Sequence, residues 1–351
     1  MKTETLLKEL SEISGLAGRE DAVRRHLQAL WEPWVDELRT DALGNLIGVQ
    51  RGATAAPRPE LMLAAHMDEI GLVVTEIEKG FLHVGRVGGV DLRVLLGLRV
   101  TVHGRRALPG VIGTRPPHVL SAEERKKVVP WEKLFVDLGL PAEEVQDVVG
   151  VGDPVSIHRP LLTLQNRRVA GKALDNRASV AALTQALEML RAIRHDWDVY
   201  AVATVQEEVG IKGAITGAYG VAPQLAVALD VTFAKQAGDS EAGAFALDKG
   251  PTVGVGPNFH PQVVERLREA AKSREIPYQV EVLPGSSGTD AWGIQVAREG
   301  VPTGLLSIPV RYMHQPVEMV ALGDIERTAR LLAAFVADLP GDYTPRWEDE
   351  L

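Results

Sequence analysis

Cysteine is absent from all 351 residues. Disulfides and thiolate metal sites are therefore excluded, and any transition metal would have to be held by His, Asp and Glu. Basic residues are in the minority: 38 Lys and Arg stand against 47 Asp and Glu, a formal net charge of −9. That balance argues against a general nucleic-acid binder, because phosphate affinity comes mainly from Lys and Arg. No apolar run approaches the length of a membrane span. The opening stretch MKTETLLKELSEISG is an amphipathic helix pattern with acidic residues, not the basic-then-apolar layout of a secretory signal. Internal repeats and low-complexity tracts are also missing. These absences predict a cytoplasmic protein with no nucleic-acid or membrane partner.

What is there is ample apolar material, 45% of the chain, enough for one large domain or two smaller ones. Leu6, Leu7, Leu10 and Ile13 recur at helical spacing, and Val23, Leu27, Leu30 and Trp31 repeat the pattern. Residues 45–49 predict a short strand, and 61–65 an apolar strand ending at His66-Met67-Asp68. From 70 to 167 short Val/Leu runs are separated by Gly and Pro. This texture predicts an inserted β-rich domain, with one helical piece at about 131–138. After Ala170 helices alternate with strands. Val180, Leu183, Leu187 and Leu190 make a helix face; buried strands are expected at 199–205, 225–229 and 304–308. His260-Pro261 opens a further helix. Asp324 is placed to cap a last one carrying Ile325, Thr328, Leu332 and Phe335 on one face. The alternation predicts an α/β fold, a mixed sheet sandwiched between helices, formed by 1–69 plus 168–351 around the insert at 70–167. The tail after Pro340 is acidic and reads as loose.

Four apolar runs end in groups that can bind a metal. They lead to His66 and Asp68, to Glu207 and Glu208, to Asp230, and after a short extension to His314. Open α/β sheets bind ligands outside the carboxyl ends of their strands, so these groups can converge. Asp175, in KALDNR, joins them from the start of a helix. Taken singly, each has a plainer reading. A His at a strand end is usually a hydrogen-bonded edge residue, Asp175-Asn176 a helix cap, Asp230 a turn residue, and Glu207-Glu208 a solvated pair. Their coincidence favours a site. Two metals about 3.5–4 Å apart need a bridging carboxylate and charge compensation. Asp175, Glu208 and Asp230 with one hydroxide would balance two divalent cations. Each metal would have one His, one terminal carboxylate and the shared Asp175. Asp68 is then free to orient the His66 imidazole, and Glu207 to act as general base and then acid.

At these residues the sequence resembles the two-metal aminopeptidases, a family of glutamyl, deblocking and large tetrahedral aminopeptidases in which some members carry an endoglucanase label. The resemblance runs nearly end to end, through SGLAGRED, AAHMDEIG, KALDNR, VQEEVGIKGA, ALDV and GTDAWGIQVAREGVPTGLLSIPVRYMHQPVEM. It implies that His66, Asp175 and Asp230 hold one metal, and Asp175, Glu208 and His314 the other, zinc first with cobalt or manganese as alternatives. It implies Glu207 as the acid/base, Asp68 as a supporting carboxylate, and a cis Asp175-Asn176 peptide. It also implies that the inserted domain carries dimer contacts and that dimers build a homo-oligomer of up to twelve chains. The expected activity is removal of N-terminal residues from short peptides by a water activated between two metals. Gln315, where a small residue is usual, and the loop GSSGTD depart from the family pattern. Both bear on substrate preference.

The loop at 285–290 could offer backbone donors to a substrate carbonyl, or be a plain turn before a helix. His260 reads as a helix-entry residue, and His26, His83, His103, His118, His158 and His195 as surface or structural. Two other functions compete. A glycoside-active hydrolase would need a carboxylate pair across a sugar and no metals, which leaves His66, Asp175 and His314 without a role. A non-catalytic assembly protein would have no use for an intact base.

Overall fold

The computed structural model describes residues 1–238 and 243–345; the end of the acidic tail lies outside the described residues. Helices α1 (Thr3–Glu12) and α2 (Asp21–Trp31) lead into strands β1 (Glu37–Thr40), β2 (Leu46–Gln50) and β3 (Glu60–His66). Next come β4 (Gly71–Glu78), β5 (Phe81–Val87), β6 (Arg99–His103), β7 (Ala107–Gly113), β8 (Phe135–Asp137), α3 (Ala142–Val148) and β9 (Pro154–Ile157). Then follow β10 (Leu162–Leu164), β11 (Arg168–Gly171), α4 (Leu174–Leu190), β12 (Asp198–Thr204), α5 (Lys212–Val221) and β13 (Leu225–Phe233). The chain continues through β14 (Thr252–Val255), α6 (Pro261–Ser273), β15 (Gln279–Val282), α7 (Asp290–Gln295), β16 (Thr303–Val310), β17 (Glu318–Ala321) and α8 (Leu322–Asp338). Among the described residues no helix is long and apolar enough to cross a membrane.

Eight strands form one mixed sheet in the order β1-β2-β12-β3-β13-β16-β14-β15. Its centre, β12-β3-β13-β16, is parallel. Side chains alternate across a strand, yet every residue of β12 and β16 is buried, so both faces are covered. Helix α5 lies on the face carrying Met62 and Val202, which a Cβ on its Gly217 would meet. Helix α6 lies on the other: a Cβ on Gly304, a position paired with Val227, would meet Val263 and Leu267. Helix α4 packs on α1 and α8 and is buried nearly all round, from Ala178 to Leu187. That is the pattern of a central helix rather than an amphipathic one.

The insert folds as a closed barrel, β4-β5-β8-β7-β6-β9, around Leu72, Val74, Leu82, Val100, Val102 and Val155. Its helix is α3, not residues 131–138, which form a short 3-10 turn and β8. The barrel claims this segment: Val136 pairs with Leu82 of β5 and with Ile112 of β7, and that tertiary pairing overrides the local helical pattern. The strands of the barrel end at Ile157. Strand β10 instead pairs with β11, and β11 with β17, in a small separate sheet.

Candidate metal centre and active site

The parallel register delivers the site. Thr204 pairs with His66, and Ala228 with Ala64, so two residues further on Asp230 comes alongside His66 on the same face. Strand β13 runs three residues past Asp230, which therefore sits inside the strand and not at its end. His66 Nε2 lies 3.2 Å from Asp175 Oδ1 and 3.8 Å from Asp230 Oδ1. His314 Nε2 lies 3.3 Å from Asp175 Oδ2 and 3.5 Å from Glu208 Oε1. Asp175 thus shows one oxygen to each imidazole. His66, Asp175 and Asp230 form one group able to hold a cation; Asp175, Glu208 and His314 form a second, sharing Asp175.

Asp175 is set at the mouth of α4. The backbone reaches it through Ala173, in the left-handed region at φ 56°, and the Asp175-Asn176 peptide is cis. Regular helix begins at Arg177. Asn176 Nδ2 donates to Leu229 O and Ser179 Oγ to Asp230 O, tying the start of α4 to β13. Gln206 and His314 also have positive φ, 55° and 60°. A left-handed conformation costs a non-glycine residue roughly 1–2 kcal/mol, and the site gathers three.

Buried carboxylates hold these backbones in place. The Gln206 amide donates to Glu20 Oε1 at 3.1 Å, Glu207 to Asp68 Oδ1 at 3.0 Å and Glu208 to Asp68 Oδ2 at 3.1 Å. Asp68 is fully buried, and its Oδ1 also lies 3.4 Å from His66 Nδ1. It therefore aims the Glu207-Glu208 segment at least as directly as the imidazole. On the far side Glu318, at the start of β17, accepts from the Asp175 amide at 3.0 Å and the His314 amide at 2.9 Å.

The electrostatics follow from crowding. Burial, then repulsion from neighbouring carboxylates, pushes Glu208 up to about 8. Glu207 also rises to about 8: burial drives it, His66 opposes, and Asp290 and Glu208 add to it. Burial raises Asp230 well above the usual carboxylate range. Asp175 goes the other way, since its contacts with His314 and His66 outweigh its burial. His314 is raised to about 9, chiefly by Asp175. The imidazole of His66 is raised despite its burial, by Asp175 and Asp68. The pocket thus crowds together carboxyl groups whose negative charge only protons or cations can relieve.

These groups open into a cavity of about 740 Å³. Ser287, Gly288 and Thr289 line it, so the 285–290 loop does face the site, although the Gly288 amide is taken by Ser286 Oγ. The Gln315 amide closes a turn on Tyr312 O, and among the described residues Gln315 is not part of the cavity wall. His260 precedes α6 at its N-cap. His103 Nε2 contacts Ser14 and Ser156, and His195 Nδ1 the Trp197 carbonyl, all away from the site.

A family model described as M42 glutamyl aminopeptidase matches residues 44–331. The chain belongs to this aminopeptidase family. A lysyl aminopeptidase from Pyrococcus furiosus is 38% identical over 349 residues, covering 97% of this chain and 99% of its own. Aminopeptidase APDkam598 from the archaeon Desulfurococcus kamchatkensis superposes with a TM-score of 0.89 at 41% identity, over 98% of this chain and 95% of that one. The Pyrococcus horikoshii TET1 peptidase, described as able to assemble into a tetrahedron or a large octahedral shell, gives 0.84 at 33% identity over 96% and 100%. The aminopeptidase family that the motifs resemble is therefore the family that matches.

Three site residues have no role in a strand-end reading: Glu20, Glu318 and Asp290. Glu20 and Glu318 lie inside the motifs SGLAGRED and QPVEM, which was the available signal. Each also holds one backbone amide far away in sequence, Gln206 for Glu20 and Asp175 for Glu318, which spacing does not reveal. Asp290, in GTDA, is fully buried, accepts from Thr204 Oγ1, and is raised by burial to about 6.

Proposed function

We propose that this M42 chain removes the N-terminal residue from short peptides, with His66, Asp175, Glu208, Asp230 and His314 holding two divalent cations. The observation that carries the reading is Asp175, whose two oxygens each face a different imidazole-carboxylate group. The donor set fits such ions. Imidazole and carboxylate suit zinc, cobalt and manganese, and Glu208 and Asp230 are carboxylates that burial drives toward protonation unless positive charge arrives. Zinc is the first assignment. Bound there, the cations would polarise the scissile carbonyl and lower the pKa of a water.

The chain's own residues do the rest. Glu207 takes a proton from the attacking water and returns it to the leaving amine. Burial raises this carboxyl to about 8, out of the ordinary carboxylate range and toward the range in which one group serves both as base and as acid. Asp68 clamps the amides of Glu207 and Glu208 and so aims both carboxylates. The cavity, about 740 Å³, has the volume of a few peptide residues and not of a folded domain.

The division into a catalytic part, 1–69 with 168–351, and a dimerising insert, 70–167, belongs to the same proposal. Phe81, Leu96 and Val111 leave apolar surface on the barrel, as an interface between copies would. Dimers building a dodecamer, and cytoplasmic residence, go with it. Neither a glycoside hydrolase nor a scaffold accounts for the convergence on Asp175. The test is a panel of aminoacyl amides beside N-acetylated counterparts, with metals supplied. Only substrates with free amines should be cut; equal cleavage of acetylated ones would contradict an aminopeptidase.

A further inference from the structure

One wall of the cavity carries a buried acid with no part in the proposed metal centre. Asp230 on β13 pairs with Ser307 on β16, Ser307 with Thr252 on β14, and Thr252 with Gln279 on β15. Paired residues share a face, as do residues two apart on one strand. Glu281, two beyond Gln279, therefore projects from the same sheet face as Asp230. Its side chain lines the cavity and is 9% exposed. Thr232 Oγ1 donates to Oε1 at 2.5 Å and Thr252 Oγ1 to Oε2 at 2.7 Å. Both bonds come from neutral hydroxyls. Among the described residues no Lys, Arg or His forms an ion pair with Glu281, and the cavity wall contains no Lys or Arg.

A desolvated carboxylate without a cation is costly, and here it faces a cavity that a ligand enters. Thr232 lies two residues past Asp230, so its partner carboxylate is displaced about 7 Å along the strand from that residue. That is the reach of a lysine side chain on its four-carbon stem. Phe245, Leu283 and Leu305 line the cavity as well and offer the apolar contact such a stem prefers while its head finds charge. An acidic side chain would meet Glu281 with no lysine or arginine among the described wall residues to offset the repulsion.

We infer that Glu281 selects a cationic side chain, lysine or arginine, on the first residue of the peptide. This rests on the aminopeptidase reading. The substitution Glu281→Gln suits a test because the amide keeps the shape and can engage both threonine hydroxyls, so the wall survives without its charge.

The decisive comparison is kcat/KM on lysyl and norleucyl amides, which differ by an ammonium against a methyl. Arginyl and glutamyl amides accompany them, and metal content is measured on each protein. The unaltered protein should favour lysyl over norleucyl by about 10- to 100-fold, the range for one desolvated charge-assisted hydrogen bond. E281Q should collapse that ratio toward unity while keeping its metals and its norleucyl activity. An unchanged ratio in E281Q, or a wild-type preference for glutamyl amide, would overturn the assignment. Hydrolysis of no amide at all would count against aminopeptidase activity itself. Calorimetric binding of lysinamide against norleucinamide to the metal-loaded protein, with and without E281Q, would then decide the role of Glu281 alone.

Discussion

Glu207 and Glu208 sit side by side, and the proposed function gives them opposite duties, one to move protons and one to hold a cation. Both are raised to about 8 against an ordinary 4.5. Unfolded, they would lose their protons first, so metal-free stability falls as pH climbs from about 4.5 to 8. His314 acts in the same direction: raised to about 9, it adds stability that is full below 6.5 and lost as pH passes 9. Chelator-treated protein should therefore melt at lower temperature as pH rises through that window, and added zinc should restore more at the alkaline end, where protons no longer compete. Melting curves across pH, with and without metal, check this; a flat metal-free profile would contradict it. Gly89, in the barrel's β5–β6 loop, makes a second residue-scale prediction. A Cβ there would collide with the His314 ring. Gly89→Ala should weaken one cation site by about 10- to 100-fold, the usual cost of disturbing a ligand's support, and leave the other intact. Metal titration would read this as one tight and one weakened equivalent.

At the scale of elements, the strands and helices were legible wherever a single face or a continuous apolar run decided them: β3, β12, β13, β16 and α6 fall where periodicity puts them. Asp324 shows the limit. It lies within the first turn of α8, and its carboxylate accepts from the Asp248 and Gly250 amides across the chain instead of capping its own helix. Glu318 is the same kind of residue at the site. Through Asp175 for Glu318, and Asp248 and Gly250 for Asp324, these acids satisfy backbone donors brought near by tertiary folding, which no local pattern announces. The seven site residues read from the sequence do converge: the parallel register brings the strand-borne ones alongside, Asp230 from inside β13, and Asp175 enters from the start of α4. Glu20 and Glu318, which hold backbones there, were not legible, because spacing does not pair them with Gln206 and Asp175. Glu318→Ala would leave one buried amide unpartnered, at about 1–3 kcal/mol, and one part-buried amide at less, and free both Asp175 and His314. It should lower the melting temperature and reduce metal retention at the Asp175–Glu208–His314 group, readable by elemental analysis after dialysis. Undiminished retention would show that β17 is not the clamp described here.

On the scale of the whole molecule, the barrel is an insertion that reaches back to the site. The Gly88-Gly89 loop touches Glu208 and His314, while apolar residues on the barrel remain uncovered in one chain. The insert thus backs two site residues through Gly88 and Gly89, and in the proposed function it has a second use, its uncovered face meeting another copy. Light scattering behind size exclusion should find a dimer or a multiple of it, and a strict monomer at micromolar concentration would remove the second use. The measurement that bears most directly on the central claim joins metal content to turnover. Dialysed protein is titrated with zinc while cleavage of an aminoacyl amide is followed, alongside Glu207→Gln. Activity should appear as two equivalents per chain bind, vanish with chelator, and fall by about 100- to 10,000-fold in Glu207→Gln with both metals retained. Cleavage that ignores chelator, or a Glu207→Gln protein as active as the parent, would contradict the account.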